Sequence, residues 1–408
     1  MFEFKNLIVN ASKECTASKR CPHGSFSQPA RALLLLALLG GCTDLPEVIA
    51  HPASKPAFDI FVAPGSGSSE QSCAWYGDAR DGVLYFGESA FWSGLRETGD
   101  PLAELDHLGT RRIGRFDLEK RAMLPALVVA EEQESGTWDV LAHPNGRIYY
   151  TTFFGDAGWI DPLSERSGRF PHLGKGLNEW ARGPNETLLV TRYGDTGFNE
   201  TQSGSSENTV LWIDPNGSKR AEWPLPSAGE SVLAPKTVAW DPVADEIWVS
   251  TDLLPERAGP GGHPTVVLGF DGRERARIDD VEVQYARFAE DGTGYFAVSS
   301  GRTLKLAVRP PQANGQGLGG AHWITLDTDF HPNLDFAQNL RLSADGRVLV
   351  TTWGGRIFSV NPQTTGRVQV FDFPRARKDG LYYSAVSAGR SICATYCAGL
   401  SVVCTRTD

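Results

Sequence analysis

The chain has 408 residues, of which 41% are hydrophobic and 22% charged, a balance that excludes wholesale disorder. Its formal charge of −10 is spread along the sequence, so the basic footprint needed to bind nucleic-acid phosphates is absent and the acidity reads as a solvated surface. The 44 Gly, 25 Pro and 11 Trp, with no long amphipathic pattern, point to many turns between short aromatic strands.

The first element in chain order is an address. Ala32 to Leu39 is an unbroken apolar run preceded by Arg31, with Lys19 and Arg20 upstream. It is far shorter than the ~20 residues a membrane-spanning helix needs, and it suits the core of a signal peptide. It closes on Leu39-Gly40-Gly41-Cys42, which resembles the bacterial lipobox: an aliphatic residue, two small ones, then the Cys that receives lipid. The resemblance implies an exported bacterial lipoprotein anchored to a membrane through Cys42. Thr43, rather than Asp, follows that Cys, which favours the outer membrane or cell surface over the inner membrane. Residues 1–41 are therefore expected to be a lipoprotein signal peptide with an over-long leader, and 42–56, with Pro46, Pro52 and Pro56, the lipidated Cys and a tether. Removing 1–41 leaves a net charge of −13.

Residues 57–408 are expected to form a single domain built from a repeat. Pro144-Asn145-Gly146-Arg147-Ile148-Tyr149-Tyr150-Thr151-Thr152 returns as Ser343-Ala344-Asp345-Gly346-Arg347-Val348-Leu349-Val350-Thr351-Thr352. Each is a tight turn running into an apolar strand that ends in hydroxyls. Weaker copies place the turn at Gly82, Glu186, Asp245, Gly292 and Gly389, at spacings of about 40 to 64 residues. A second phrase, apolar then Asp or Asn then Pro or Gly, trails most copies, as in Ile160-Asp161-Pro162, Ile213-Asp214-Pro215, Phe270-Asp271-Gly272 and Val360-Asn361-Pro362. Asp or Asn there bonds the turn with its own side chain.

Strand, turn, strand, Asp-Pro turn and strand make a four-stranded antiparallel meander, and radial repetition makes an all-β propeller. The count is seven blades, with six or eight as alternatives. The last unit lacks a fourth strand, and Phe58-Asp59-Ile60-Phe61-Val62 is expected to supply it and close the ring. A parallel β-helix is the rival fold, but its repeats would be shorter and more regular. From Ser72 to Arg406 these phrases resemble the propeller group that includes streptogramin lyases, senescence-marker gluconolactonases and NHL-repeat proteins. The motifs identify an architecture that hosts many unrelated functions.

Counting seven residues back from each turn reaches the start of each innermost strand, at the mouth of the central channel. The positions are Trp75, Asp139, Glu179, Val238 (or Thr237, if that turn holds an extra residue), Tyr285, Asn339 and Tyr382. In the lyase and gluconolactonase relatives this region holds metal ligands. The resemblance to streptogramin lyase would imply His at the ring, and none of the eight His falls there. The gluconolactonase likeness implies Glu, Asn and Asp around a divalent cation; Asp139, Glu179 and Asn339 have the oxygen atoms for Ca²⁺ or Mg²⁺, with Glu134, Asn178 and Gln338 nearby. The opposing reading is that carboxylates at strand starts cap turns or meet channel water, so that no cofactor is required. Tyr and Trp at a concave mouth can stack on sugars or grip a peptide, or pack the ring closure. Arg287 and Arg341 lie two residues beyond ring positions and share their face, to neutralise Asp139 and Glu179 or to bind an anion. Asp327, Asp329 and Asp335 offer at most a weak calcium loop, read as solvated.

Four cysteines remain after Cys42: Cys73, Cys393, Cys397 and Cys404. An exported, even-numbered set suggests two disulfides with three connectivities. A two-residue turn at Ala398-Gly399 would set Cys393 across from Cys404, and Cys73 to Cys397 would then weld the first blade to the last. The expectation for function is a monomeric, membrane-anchored binding module for a protein, peptide or carbohydrate ligand, with no nucleic-acid partner and no catalysis. The alternative is a divalent-metal-dependent lactonase or lyase-like hydrolase at the channel mouth.

Overall fold

The computed structural model describes residues 57–63, 73–89, 111–130, 136–152, 156–193, 208–226, 232–254, 263–311, 317–331, 336–363, 368–374, 381–397 and 400–406. Cys42, residues 43–56 expected to form a tether, Glu134 and Asp335 lie outside them. The strands form seven four-stranded antiparallel sheets, each a blade with the first strand innermost. Blades 1 to 6 span 73–130, 137–169, 177–224, 232–278, 282–327 and 337–372. Blade 7 takes three strands from 381–405, and its outermost fourth is Phe58–Val62, paired antiparallel to Ser401–Thr405 with Phe58 opposite Thr405. The ring is a seven-bladed β-propeller closed by the amino-terminal strand, as the repeat predicts.

The run of apolar residues after each turn has a definite cause. A blade in a ring is covered on both faces, so its second strand is buried on both and loses the polar alternation of a half-exposed strand. Ile148–Thr152 is buried throughout. Its successive residues serve different cores: Ile148 and Tyr150 pack with Tyr85 and Ile113 of blade 1, while Tyr149 packs with Trp180 and Leu188 of blade 3. In the sister phrase, Val348 and Val350 face blade 5 and Leu349 faces blade 7. Each of the seven junctions between neighbouring blades has its own buried apolar cluster.

All seven turn residues named from the repeat have positive φ, from 54° at Asp245 to 96° at Gly146. This left-handed conformation is why five of the seven are Gly. The Asp of the second phrase also acts as expected: Asp161 Oδ1 accepts the Leu163 N–H at 2.9 Å, and Asn361 Oδ1 accepts that of Gln363 at 3.0 Å.

The seam carries additional ties. Cys73 is disulfide-bonded to Cys397, joining blade 1 to blade 7, and Cys393 is bonded to Cys404 within blade 7. Asp59 on the closing strand pairs with Arg406 at 2.6 Å and with Arg121 of blade 1 at 3.1 Å.

Candidate functional site

Each inner strand carries a register shift at one shared level. It falls between Ala74 and Gly77 in blade 1, Thr137 and Val140 in blade 2, and Leu177 and Trp180 in blade 3. The same shift falls between Pro235 and Thr237, Val283 and Tyr285, Ala337 and Asn339, and Tyr382 and Ala385 in blades 4 to 7. A bulge of this kind sets two residues opposite one and re-aims their side chains. Aligning the seven bulges makes Tyr76, Asp139, Glu179, Thr237, Tyr285, Asn339 and Ser384 equivalent. Four of the sequence-counted ring residues, Asp139, Glu179, Tyr285 and Asn339, sit at this shared level. In blade 4 the alternative Thr237 replaces Val238, because that inner strand holds one more residue before its turn.

At the seam the count from the turn overshoots. Blades 1 and 7 join their first two strands through two-residue turns, Asp81-Gly82 and Gly389-Arg390, whereas the other blades use four or five residues. The ring positions are therefore Tyr76 and Ser384. Trp75, one residue earlier, is 2% exposed and donates its indole N–H to Ser89 Oγ at 2.8 Å. Tyr382, two residues earlier, is fully buried between Tyr396 and Phe373, with its hydroxyl donating to the Pro374 carbonyl at 2.6 Å. Tyr382 belongs to the packing between blades 6 and 7.

The hydroxyls ending the repeat's strand have their explanation here. A bulged N–H has no strand carbonyl opposite it, and a buried N–H must find another acceptor. Thr151, Thr191 and Thr395 supply it, their Oγ1 atoms accepting from Asp139 N (3.3 Å), Glu179 N (3.0 Å) and Ser384 N (3.0 Å). The other edge of each inner strand faces the neighbouring blade and needs partners too. Asp139 Oδ2 accepts the Trp180 N–H at 2.8 Å, Asp78 Oδ2 that of Ala142 at 3.1 Å, and Gln284 Oε1 that of Ala337 at 2.6 Å.

Below the bulge level, two guanidinium groups cross the channel. Arg287 donates to Glu179 Oε1 at 2.9 Å, and the Tyr285 hydroxyl donates to Glu179 Oε2 at 3.3 Å. Arg341 pairs with Asp78 Oδ1 at 3.4 Å and donates to the Gly77 carbonyl at 2.6 Å, so its ion partner is Asp78 and not Asp139. On the mouth side, the Tyr76 hydroxyl donates to Gln338 Oε1 at 2.7 Å across the channel. Aromatic rings form an arc above it. Trp138 lies 4.5 Å from Trp75 and 5.3 Å from Tyr76, Tyr383 lies 5.2 Å from Tyr76, and Trp353 follows at 6.0 Å. Phe336 continues it 5.0 Å from Trp353, with the Lys236 ammonium 5.0 Å over its ring. Tyr76, Trp138, Trp353, Phe336 and Lys236 are half-buried, so the arc presents surface at the mouth.

The residues offered for a divalent cation are partly engaged by protein groups. Both oxygens of Glu179 are taken by Arg287 and Tyr285, and the Asn339 side-chain amide donates to Ser384 Oγ at 2.8 Å. A hard dication takes six or more oxygens converging on one point. Among the described residues no three His, Cys, Asp or Glu gather in that way. In the Asp327 loop, Asp327 is paired with Arg356 and Asp329 with Arg302.

Burial raises the Glu179 carboxyl from 4.5 to about 7, opposed by Arg287 and reinforced by the nearby Asp139 charge. Glu88, also buried, is pushed up to about 7 against the pull of Arg112. The folded values lie above the unfolded ones, so between about pH 4.5 and 7 the folded chain holds protons that the unfolded chain has released. Stability therefore falls as pH rises through that window, by up to ~1.4 kcal/mol per pH unit for each group. Urea midpoints at pH 5, 6, 7 and 8 are expected to decline, and Glu179→Gln should flatten the decline. A wild-type midpoint level from pH 5 to 7.5 would contradict the buried-carboxylate assignment.

Sequence counting did not reach Tyr76, Trp138, Tyr383, Ser384 or Lys236. The available signal was the aromatic pair near the start of each seam strand, Trp75-Tyr76 and Tyr382-Tyr383; the count stopped at the first member of each, one residue short of Tyr76 in blade 1 and two short of Ser384 in blade 7. No protein-family model matches the chain, and no curated protein matches it. Among solved structures it is similar to the β-propeller domain of Myceliophteria thermophila Cps50 (Swd1), with a TM-score of 0.52 and 11% identity, over 82% of this chain and 96% of that one. At that identity the likeness concerns the fold alone, and on that ground the chain is a β-propeller.

Proposed function

We propose that this chain is an exported, membrane-anchored lipoprotein whose propeller binds a ligand at its channel mouth without catalysing a reaction. The observation that carries the binding reading is the aromatic arc from Trp138 to Phe336, in which Trp138, Tyr76, Trp353 and Phe336 are half-buried around the buried Tyr383, set over the polar side chains of the channel. Aromatic side chains at a concave mouth supply large contact area at low entropic cost, which suits recognition. The carboxylate best placed for acid–base work, Glu179, is held by Arg287 and Tyr285, which favours a structural role for it. Cys42 supports the anchor through its lipobox-like setting, and a propeller is compatible with a binding module.

The test is a panel of short peptides and oligosaccharides titrated against the full-length protein and followed by tryptophan fluorescence. At least one class should quench saturably, and Trp138→Ala should weaken it about tenfold or more. Metal-dependent lactone hydrolysis that disappears in Glu179→Gln would replace this reading with the hydrolase. Labelling with radioactive palmitate, lost in Cys42→Ala, checks the anchor.

A further inference from the structure

We infer that the outermost strand of blade 7, Phe58–Val62, pairs with the same strand of a second copy of this chain, about a two-fold axis at Ile60. The backbone fixes which groups this edge offers. The Arg406 N–H donates to the Ala57 carbonyl at 2.7 Å and the Ala63 N–H to the Leu400 carbonyl at 3.2 Å, in the register that sets Phe58 opposite Thr405. Hydrogen-bonded positions alternate along an antiparallel pair, so the odd-numbered residues bond inward to Ser401–Thr405. The N–H and C=O groups of Phe58, Ile60 and Val62 therefore point away from the blade, and no strand among the described residues lies beyond them. The side chains of this same set are apolar, with Ile60 49% and Val62 54% exposed. Asp59, the one charge of the strand, lies on the opposite face and is held by Arg121 and Arg406.

An open sheet edge invites pairing, and the outer strands of the other blades limit it. That of blade 1, Ala122–Ala130, contains Pro125, and that of blade 2, Ser167–Arg169, is three residues long. Blade 3 places Lys219, Arg220 and Glu222 on its outer strand, and blade 4 places Glu274, Arg275 and Arg277. In blade 5 the strand runs from His322 to Asp327. In blade 6 the even-numbered residues of Val368–Asp372 point outward, so self-pairing about Val370 would set Asp372 against Val368. Phe58–Val62 differs from all of these. Reversed about Ile60, it sets Ile60 against Ile60 and Phe58 against Val62, apolar against apolar at every outward position, with about six new backbone bonds. On the other face Asp59 meets Phe61 of the second copy and brings its two arginines with it. Charge favours the same occupant. Two chains of formal charge −10 repel in general, but at this edge the one carboxylate is already neutralised. The contact is small, below the ~1,000 Å² of a lasting soluble complex. In the anchored form, residues 43–57 allow at most ~50 Å between Cys42 and this strand, so copies in one membrane meet at high effective concentration. The pairing goes beyond the proposed ligand binding and departs from the monomer expected from the sequence.

The experiment places full-length protein carrying Ile60→Cys, Val62→Cys or Val370→Cys in liposomes, oxidises it mildly with copper phenanthroline and reads it on a non-reducing gel. The four propeller cysteines are already bonded in pairs, and the unsubstituted protein controls for the others. Ile60→Cys is expected to form a disulfide-linked dimer at least tenfold faster than the other two, although Val62 is the more exposed residue. Two Ile60 positions face each other with about 5.5 Å between Cα atoms, whereas two Val62 positions lie about 14 Å apart along the strands. Val370 is as exposed as Ile60 but sits on the outer strand of blade 6. Ile60→Lys should weaken association tenfold or more by sedimentation equilibrium in detergent. Its thermal midpoint should stay close to wild type, because the backbone groups at that position point outward. Equal linking rates in the three variants, no linked dimer with Ile60→Cys, or undiminished association in Ile60→Lys overturns the inference. Linkage of Ile60→Cys to a different protein in native membranes, in place of itself, overturns it as well and assigns the edge to a foreign strand. None of these outcomes bears on ligand binding at the mouth, which Trp138→Ala tests separately.

Discussion

Arg309→Met is expected to destabilise the propeller by about 3–5 kcal/mol, among the largest effects of any single change in this chain. Arg309 ends the third strand of blade 5 and pairs with Asp241, at the end of the inner strand of blade 4. The exposures are 1% and 0%, so neither charge is solvated. The guanidinium also lies 4.9 Å from the Trp248 ring centre, 5.4 Å from Phe288 and 5.8 Å from Phe296, among the apolar residues joining the two blades. Without Arg309, the Asp241 carboxylate retains the Val243 and Ala244 N–H bonds, at 2.9 and 3.0 Å, but no positive charge. Asp241→Asn combined with Arg309→Met should recover most of the loss, because the turn still has its acceptor and no charge is buried. Urea unfolding of the three variants measures this. A single-variant loss below about 1 kcal/mol would mean that the apolar cluster alone holds blades 4 and 5.

The second large effect is expected at the seam. Replacing Cys73 and Cys397 together by Ser should cost up to about 5 kcal/mol, against about 3 kcal/mol for the Cys393–Cys404 pair. The difference comes from the unfolded chain. The first bridge joins residues 324 apart and the second residues 11 apart, so the first removes far more unfolded freedom. The folded ring partly compensates, since Phe58–Val62 already zips blade 7 and Asp59 ties that strand to Arg121 and Arg406. Denaturant midpoints of the two double variants test the order. A reversed order would show that the closing strand, and not the covalent link, holds the ring.

Much of the architecture was readable from local chemistry. A residue forced to positive φ favours Gly, an Asp before a turn bonds its own backbone, and a strand covered on both faces is apolar at every position. Each is a short-range requirement, so Gly146 and Gly346 announce their blades regardless of what surrounds them. The ring register was readable where the first turn of the blade has the common length, at Asp139, Glu179, Tyr285 and Asn339. It slipped at Trp75 and Tyr382 because the seam blades turn in two residues, a difference that the spacing of turn glycines does not reveal.

The sequence by itself determined the repeat, the blade count and the strand that closes the ring, since turn residues and burial patterns act within a few positions. Only the tertiary structure decided which side chains meet in the channel. Glu179 finds Arg287 across 108 residues and Tyr76 finds Gln338 across 262. Those meetings depend on a bulge in every inner strand and on ring closure, which set the direction of each side chain only when all seven blades are in place.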